Sequence, residues 1–131
     1  MVLADGQGIP LGISVHSASP AEVTLVEETL STVSTGTPER LIADKAYDSA
    51  ALRERLSEAG IEQITPHKTN RVQARLQDGR ALRRYKRRWK IERSIAWLGN
   101  FRRLLIRWER YPEIYRAFVH LACILITLRH L

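Results

Sequence analysis

An α/β domain is predicted by three features of this 131-residue chain. Short apolar runs alternate with helical patterns through short connections, and the series opens on a hairpin signal. The apolar share of 44% is ordinary for a globular protein and sufficient for a core. A chain of this length corresponds to one domain.

The elements follow in order. In VLADGQGIPLGISV two apolar runs meet at Asp5-Gly6-Gln7-Gly8, a composition that favours a tight turn. Pro10 cannot donate to a ladder, so it places the second strand's start at an edge or entry position. Ser19 is expected to cap a helix, with Pro20 at its first position and Glu22 completing a capping box. That helix is expected to run to about Val33, with Val23, Val26 and Leu30 on one face. RLIAD (40–44) reads as a buried strand ending at Asp44. Asp48-Ser49 then caps a helix over AALRERLSEAG, which Gly60 stops in the C′ position. IEQITP (61–66) is another short strand, ended by Pro66. HKTNRVQARLQDGR (67–80) is polar, basic and weakly periodic, expected to order on a phosphate backbone. A helix resumes at Ala81 and continues to about Trp108, with a bend at Gly99-Asn100. Pro112 opens a last helix that runs to the end of the chain.

Charge divides the chain sharply. Residues 1–66 hold four basic side chains against ten acids, whereas residues 67–110 hold fifteen Lys or Arg against three acids. Such a segment calls for a polyanionic partner, and a nucleic-acid backbone is the expected one. Other classes are disfavoured. The single Cys123 excludes an internal disulfide framework and fits a reducing cytoplasm. The longest apolar run, AFVHLACILITL, has twelve residues, well short of the roughly 20 that span a bilayer. His16, His67, His120, His130 and Cys123 lack the spacing of zinc ligands, and His120 and Cys123 are expected in the core. No Gly-rich phosphate loop, Gly-x-Ser-x-Gly elbow or Cys-x-x-Cys is present.

What remains is a pair of separated carboxylates beside a dense cation field. Asp44 would end a buried strand, and the carboxyl ends of strands are where α/β sheets bind ligands. A loop aspartate bonding nearby amides is the plainer alternative. Glu92 is the lone acid in YKRRWKIERSIAWLGNFRRL (85–104), amid seven Lys or Arg. On a helix Tyr85, Arg88 and Glu92 fall within about 60° of one another. Ile91, Ile95, Leu98 and Leu105 form an adjoining apolar stripe, and Trp97, Phe101, Leu104 and Trp108 form a second. Here too a plainer alternative exists, a surface ion pair between Arg88 and Glu92.

LIADKAYDS (41–49), followed by YKRRWKIERSIAWLGNFRRLLIRWER (85–110), resembles the insertion-sequence DDE transposases of bacteria. VLADGQGIPLGI is similar to their first hairpin and YRAFVHLACILITLRHL to their C-terminal helix. The resemblance implies a ribonuclease H-like mixed sheet with flanking helices and a C-terminal helical hairpin. It implies that Asp44 and Glu92 are catalytic and bind two Mg²⁺ ions for phosphoryl transfer. Tyr85 and Arg88 match the motif positions before the glutamate. Two departures accompany it. Where the family has a Lys or Arg seven residues after the glutamate, this chain has Gly99; Arg102 and Arg103 stand nearby, Arg103 on the helical face of Glu92. The family's first aspartate lies on a central strand upstream of the hairpin, and Asp5, in the turn, is the only acid before Glu22. The chain is therefore expected to be a partial catalytic domain over 1–131, lacking that first central strand. The expected DNA-facing segment is 67–110, with Lys68, Arg71, Arg83, Arg84, Tyr85, Lys86, Arg87, Arg88, Lys90, Arg102 and Arg103 against double-stranded DNA. Expected partners include another copy or an upstream transposase segment, in the bacterial cytoplasm with no membrane. The alternatives are a non-catalytic DNA-binding module and an inert gene remnant.

Overall fold

A computed structural model describes residues 1–17, 19–69 and 79–130. Most of the expected loop, Asn70–Asp78, and with it Arg71, lies outside the described residues. The expected hairpin forms: β1 (Val2–Ala4) pairs antiparallel with β2 (Pro10–Ile13), Val2 opposite Ile13, with a bulge between Leu3 and Ala4. The Asp5 carboxylate ties the turn by accepting from the backbone N–H of Gln7 and Ile9, at 2.7 and 2.9 Å. Both bonds use Oδ1 and fix the carboxylate against the turn backbone. β3 (Arg40–Ile42) pairs in parallel with β4 (Glu62–Ile64). α2 (Ala50–Glu58) lies between them, capped by Ser49 and closed by Gly60 at φ +76°. The α/β expectation thus holds, but as two two-stranded sheets.

The gap between the sheets is structural. Reciprocal bonds between Met1 and Ser14 make them a bonded pair, so by alternation Val2 turns its N–H and C=O away from β2. Flanking β3, Glu39 and Ala43 bond to β4 through Glu62 and Ile64, so by alternation Ile42 likewise turns its peptide groups away from its partner. Val2 and Ile42 both line a cavity of about 500 Å³. An open edge on each side of one cavity leaves unpaired backbone groups that a further strand would satisfy.

Packing occurs in two small clusters. Val26, Leu52, Leu56 and Ile61 form one, with Met1, Leu41 and Tyr47 against it. Leu98, Ala122 and Ile126 form the other, with Val2, Trp97, Phe101 and Leu104. The outer edge of β2 is covered by the end of α1 (Val26–Ser31), where Thr32 Oγ1 accepts from Ile13 N–H at 3.1 Å. The close approach requires Gly12: a Cβ there would lie 2.8 Å from both Thr32 Oγ1 and Val33 Cγ2, and 3.1 Å from the Thr29 carbonyl. Gly12→Ala is expected to cost about 1–3 kcal/mol, as overpacking does, measurable as a lower urea midpoint at unchanged slope.

Several expectations are corrected. Ser19 does not cap a helix: the segment begins as a 3₁₀ turn, Glu22–Leu25, after Ala21, with no side-chain cap, and α1 stops at Ser31. The long helix over 81–108 is broken into α3 (Gly79–Tyr85), a 3₁₀ turn (Lys86–Arg88), α4 (Trp89–Gly99) and α5 (Arg102–Leu105). The break after Gly99 falls where the bend was expected, with Phe101 in extended conformation. Leu105 and Trp108 drop out of their stripes, at 66% and 73% exposed, because the chain has changed direction before them. α6 spans Pro112–Leu128, with Pro112 in its first turn as expected. Cys123 is half-buried, its thiol pKa raised by burial, whereas His120 is exposed rather than in the core. Among the described residues no helix is long and apolar enough to cross a membrane.

Candidate active site

Asp44 stands just beyond the carboxyl end of β3, at the turn into a 3₁₀ helix, Lys45–Tyr47. Its extended backbone (ψ 178°) aims the side chain back over that turn, and Oδ1 accepts from Ala46 N–H at 2.8 Å. The plainer reading of a loop aspartate is therefore satisfied at one oxygen. The residue is half-buried and lines the cavity between the sheets, opposite Arg88 and Ile91 from the 3₁₀ turn and α4.

Arg88 is the link to Glu92. Its Nη2 donates to Glu92 Oε1 at 2.6 Å across one helical turn, and its guanidinium carbon stands 5.7 Å from the centre of the Tyr85 ring. The Tyr-x2-Arg-x3-Glu residues thus gather although the 3₁₀ turn interrupts the helix. A surface ion pair of this kind stabilises by only about 0.5 kcal/mol, too little to account for the fold. Glu92 itself is 59% exposed and does not line the cavity that Asp44 and Arg88 share.

Tyr47, at the same cavity, was not anticipated. Its hydroxyl donates to Glu22 Oε2 at 2.8 Å. Burial first, and then that carboxylate, push its pKa well above the ordinary 10.0. A raised folded pKa contributes stability that is complete below about pH 10 and is lost as pH climbs toward the folded value. Alkaline unfolding curves should therefore fall more steeply for the native chain than for Tyr47→Phe.

Three carbonyls of the hairpin turn are gripped by α4: Lys90 donates to Gly6, Arg93 to Gln7 and Ser94 to Gly8. The fully buried Ser94 lets the turn approach the helix, where a Cβ on Gly8 (φ +87°) would lie 3.0 Å from the Lys90 carbonyl. Arg93 is also stacked between Trp89 and Trp97, at 5.0 and 4.8 Å from the ring centres. Of the expected DNA contacts, Lys90 is thus turned inward to the fold. Arg103 pairs with Glu109 at 2.9 Å and stacks over Phe118 at 5.3 Å, so it faces α6 and does not share the face of Glu92. Arg84 lies 3.9 Å from Glu62. Lys68, Arg83, Lys86, Arg87 and Arg102 are exposed, and among the described residues no acid pairs with them.

A second acid in LIADKAYDS is the more deeply held one. The Asp48 side chain is only 2% exposed, 3.7 Å from Arg53 Nη2 and 3.3 Å from His67 Nδ1, and it accepts from Lys68 N–H at 3.0 Å. It anchors the entry to the basic segment. Sequence patterning reads it as a helix cap, because two of its partners, His67 and Lys68, lie 19 and 20 residues along the chain.

A family model described as the transposase DDE domain matches residues 1–127. A curated relative from Burkholderia cepacia, described as a putative transposase for insertion sequence element IS402, is 33% identical over 134 residues. The alignment covers 95% of this chain and 60% of the relative, so the chain spans about three-fifths of that protein's length. No solved structure is a significant match. With nearly its whole length matched by that family and by a transposase relative, the chain belongs to the transposase DDE domain family.

Proposed function

We propose that this chain is part of a DNA transposase that cuts and rejoins phosphodiester bonds at insertion-sequence ends in the bacterial cytoplasm, with Asp44 and Glu92 as catalytic carboxylates. The observation that carries the reading is that Asp44, at the carboxyl end of β3, and Arg88, bonded to Glu92, converge on one cavity. The donor chemistry suits magnesium, a hard cation that takes oxygen ligands. The number of donors falls short: among the described residues no three His, Cys, Asp or Glu side chains gather around one ion position. Two bound ions would polarise the scissile phosphate, and Asp44 and Glu92 are the residues that would hold them.

The missing ligand is assigned to a further strand entering between β1 and β3, which would complete a ribonuclease H-like sheet. The unpaired edges of Val2 and Ile42 support this assignment, and the unmatched part of the longer relative is a source for such a strand. The test is a chimera joining that unmatched part to this chain, assayed for Mg²⁺-dependent nicking of supercoiled DNA. Nicking is expected from the chimera, to be lost in both Asp44→Asn and Glu92→Gln, and to be weak or absent from the chain alone. Strong nicking that survives Glu92→Gln would sink the assignment.

A non-catalytic DNA-binding module is the second reading, favoured by the Arg88–Glu92 ion pair itself. It predicts that the two carboxamide substitutions leave DNA affinity and function unaltered.

A further inference from the structure

Trp108 falls in an apolar stripe of the sequence, yet the fold leaves it 73% exposed in the loop between α5 and α6. A single exposed apolar residue is ordinary on a protein surface. This one stands on a built loop. Arg107 folds back on its own segment, Nε donating to the Glu109 carbonyl at 3.1 Å and Nη2 to the Arg110 carbonyl at 3.2 Å. The Glu109 side chain is turned inward, 4% exposed, and accepts from Arg103 Nε at 2.9 Å. The loop is thus tied down on both sides of a ring that stays in solvent. The other two tryptophans are engaged, since Arg93 takes a face of Trp89 and a face of Trp97. Among the described residues no ring or cation stacks on Trp108.

The charges around the ring select its partner. Between Glu92 and Glu113 the chain holds one acid, Glu109, and burial with Arg103 takes it off the surface. Arg107 and Arg110 flank Trp108 and are exposed, the second standing 5.9 Å from the centre of the Tyr111 ring. A free aromatic face beside cations, with no competing acid, fits a polyanion that itself carries flat rings, which is nucleic acid. In a continuous duplex each base face is covered by its neighbours, so the ring can stack only on an unpaired base. We infer that Trp108 is a stacking platform for an unpaired base, with the charges of Arg107 and Arg110 beside the adjoining phosphates. The inference rests on the nucleic-acid reading of the chain and not on its cutting DNA, and the ring does not line the cavity of Asp44.

The test is fluorescence anisotropy with a blunt duplex, the same duplex carrying a short oligo(dT) extension, and that extension made abasic. The abasic strand keeps the phosphates and removes only the bases. The native chain should prefer the oligo(dT) extension over the abasic one about tenfold. Trp108→Ala should abolish this preference while leaving blunt-duplex affinity and the circular dichroism spectrum unchanged. Trp108→Phe should retain part of it. Equal native affinity for the two extensions overturns the inference. So does a preference that survives Trp108→Ala, which would place the stacking on another ring. A blue shift of tryptophan emission on anionic vesicles, lost in Trp108→Ala and unaccompanied by a base preference, would assign the ring to a membrane surface and overturn it too. Failure to bind any of these DNAs would remove the nucleic-acid reading itself, and this inference with it.

Discussion

Asp48→Ala is expected to destabilise the fold by about 3–5 kcal/mol, the usual cost of removing one partner from a buried ion pair. The carboxylate is nearly sealed from solvent, and it faces Arg53, His67 and the Lys68 amide at once. Deleting it leaves a largely buried guanidinium facing a cavity instead of its counter-charge. The Lys68 amide also loses its acceptor. Arg53 reaches onward to the Gln63 carbonyl at 3.0 Å and Thr65 Oγ1 at 3.2 Å, so the disturbance extends into the end of β4. A domain of this size has on the order of 5–15 kcal/mol in total, so the loss would show as a large drop in the urea midpoint. Asp48→Asn keeps the acceptor for Lys68 while discarding the charge, and should fall between the two. Equal stability of Asp48→Ala and the native chain would mean that the cluster contributes nothing.

The contrast between Asp44 and Asp48 shows what could be read from the sequence. Asp44 was legible because a short apolar run ends on it, and strand ends in α/β sheets are recurrent ligand positions. Asp48 sits four residues on; Arg53 reaches it from α2, but His67 and Lys68 meet it only through the crossover from α2 into β4, and no local period records that. The grip of Lys90, Arg93 and Ser94 on the hairpin turn was hidden for the same reason, since it joins residues 84 to 86 positions apart. Local signals succeeded where local chemistry decides: the Asp5–Gly8 turn, the Ser49 cap, the Gly60 stop and the Gly99 break. Ser19 failed as a cap although its spacing was correct, because the chain enters a 3₁₀ turn that begins three residues later. The 3₁₀ turn at Lys86–Arg88 was invisible too: Lys and Arg are good helix formers, and nothing in their propensity marks an interruption.

Replacing Arg83, Lys86 and Arg87 together by glutamine is expected to lower affinity for DNA about 100-fold near physiological salt. Each cation that neutralises a phosphate releases counterions and adds about 0.9 to the slope of log K against log salt, so the slope should become shallower by roughly 3. These three are suited to the role because they are exposed at the junction of α3 with the 3₁₀ turn, and no acid among the described residues competes for them. Lys90 provides the internal control. Its ammonium is spent on the Gly6 carbonyl, so Lys90→Gln should loosen the hairpin against α4 and leave the salt slope nearly unchanged. Glu92→Gln should not weaken binding, because it removes a negative charge beside the cations and frees Arg88 for a phosphate. Filter binding or fluorescence anisotropy across a salt series measures all three. A triple variant with the native slope would move the DNA surface away from this junction. An unchanged slope there with a shallower one for Lys90→Gln would mean that DNA draws Lys90 off the turn, and that the hairpin rearranges on binding.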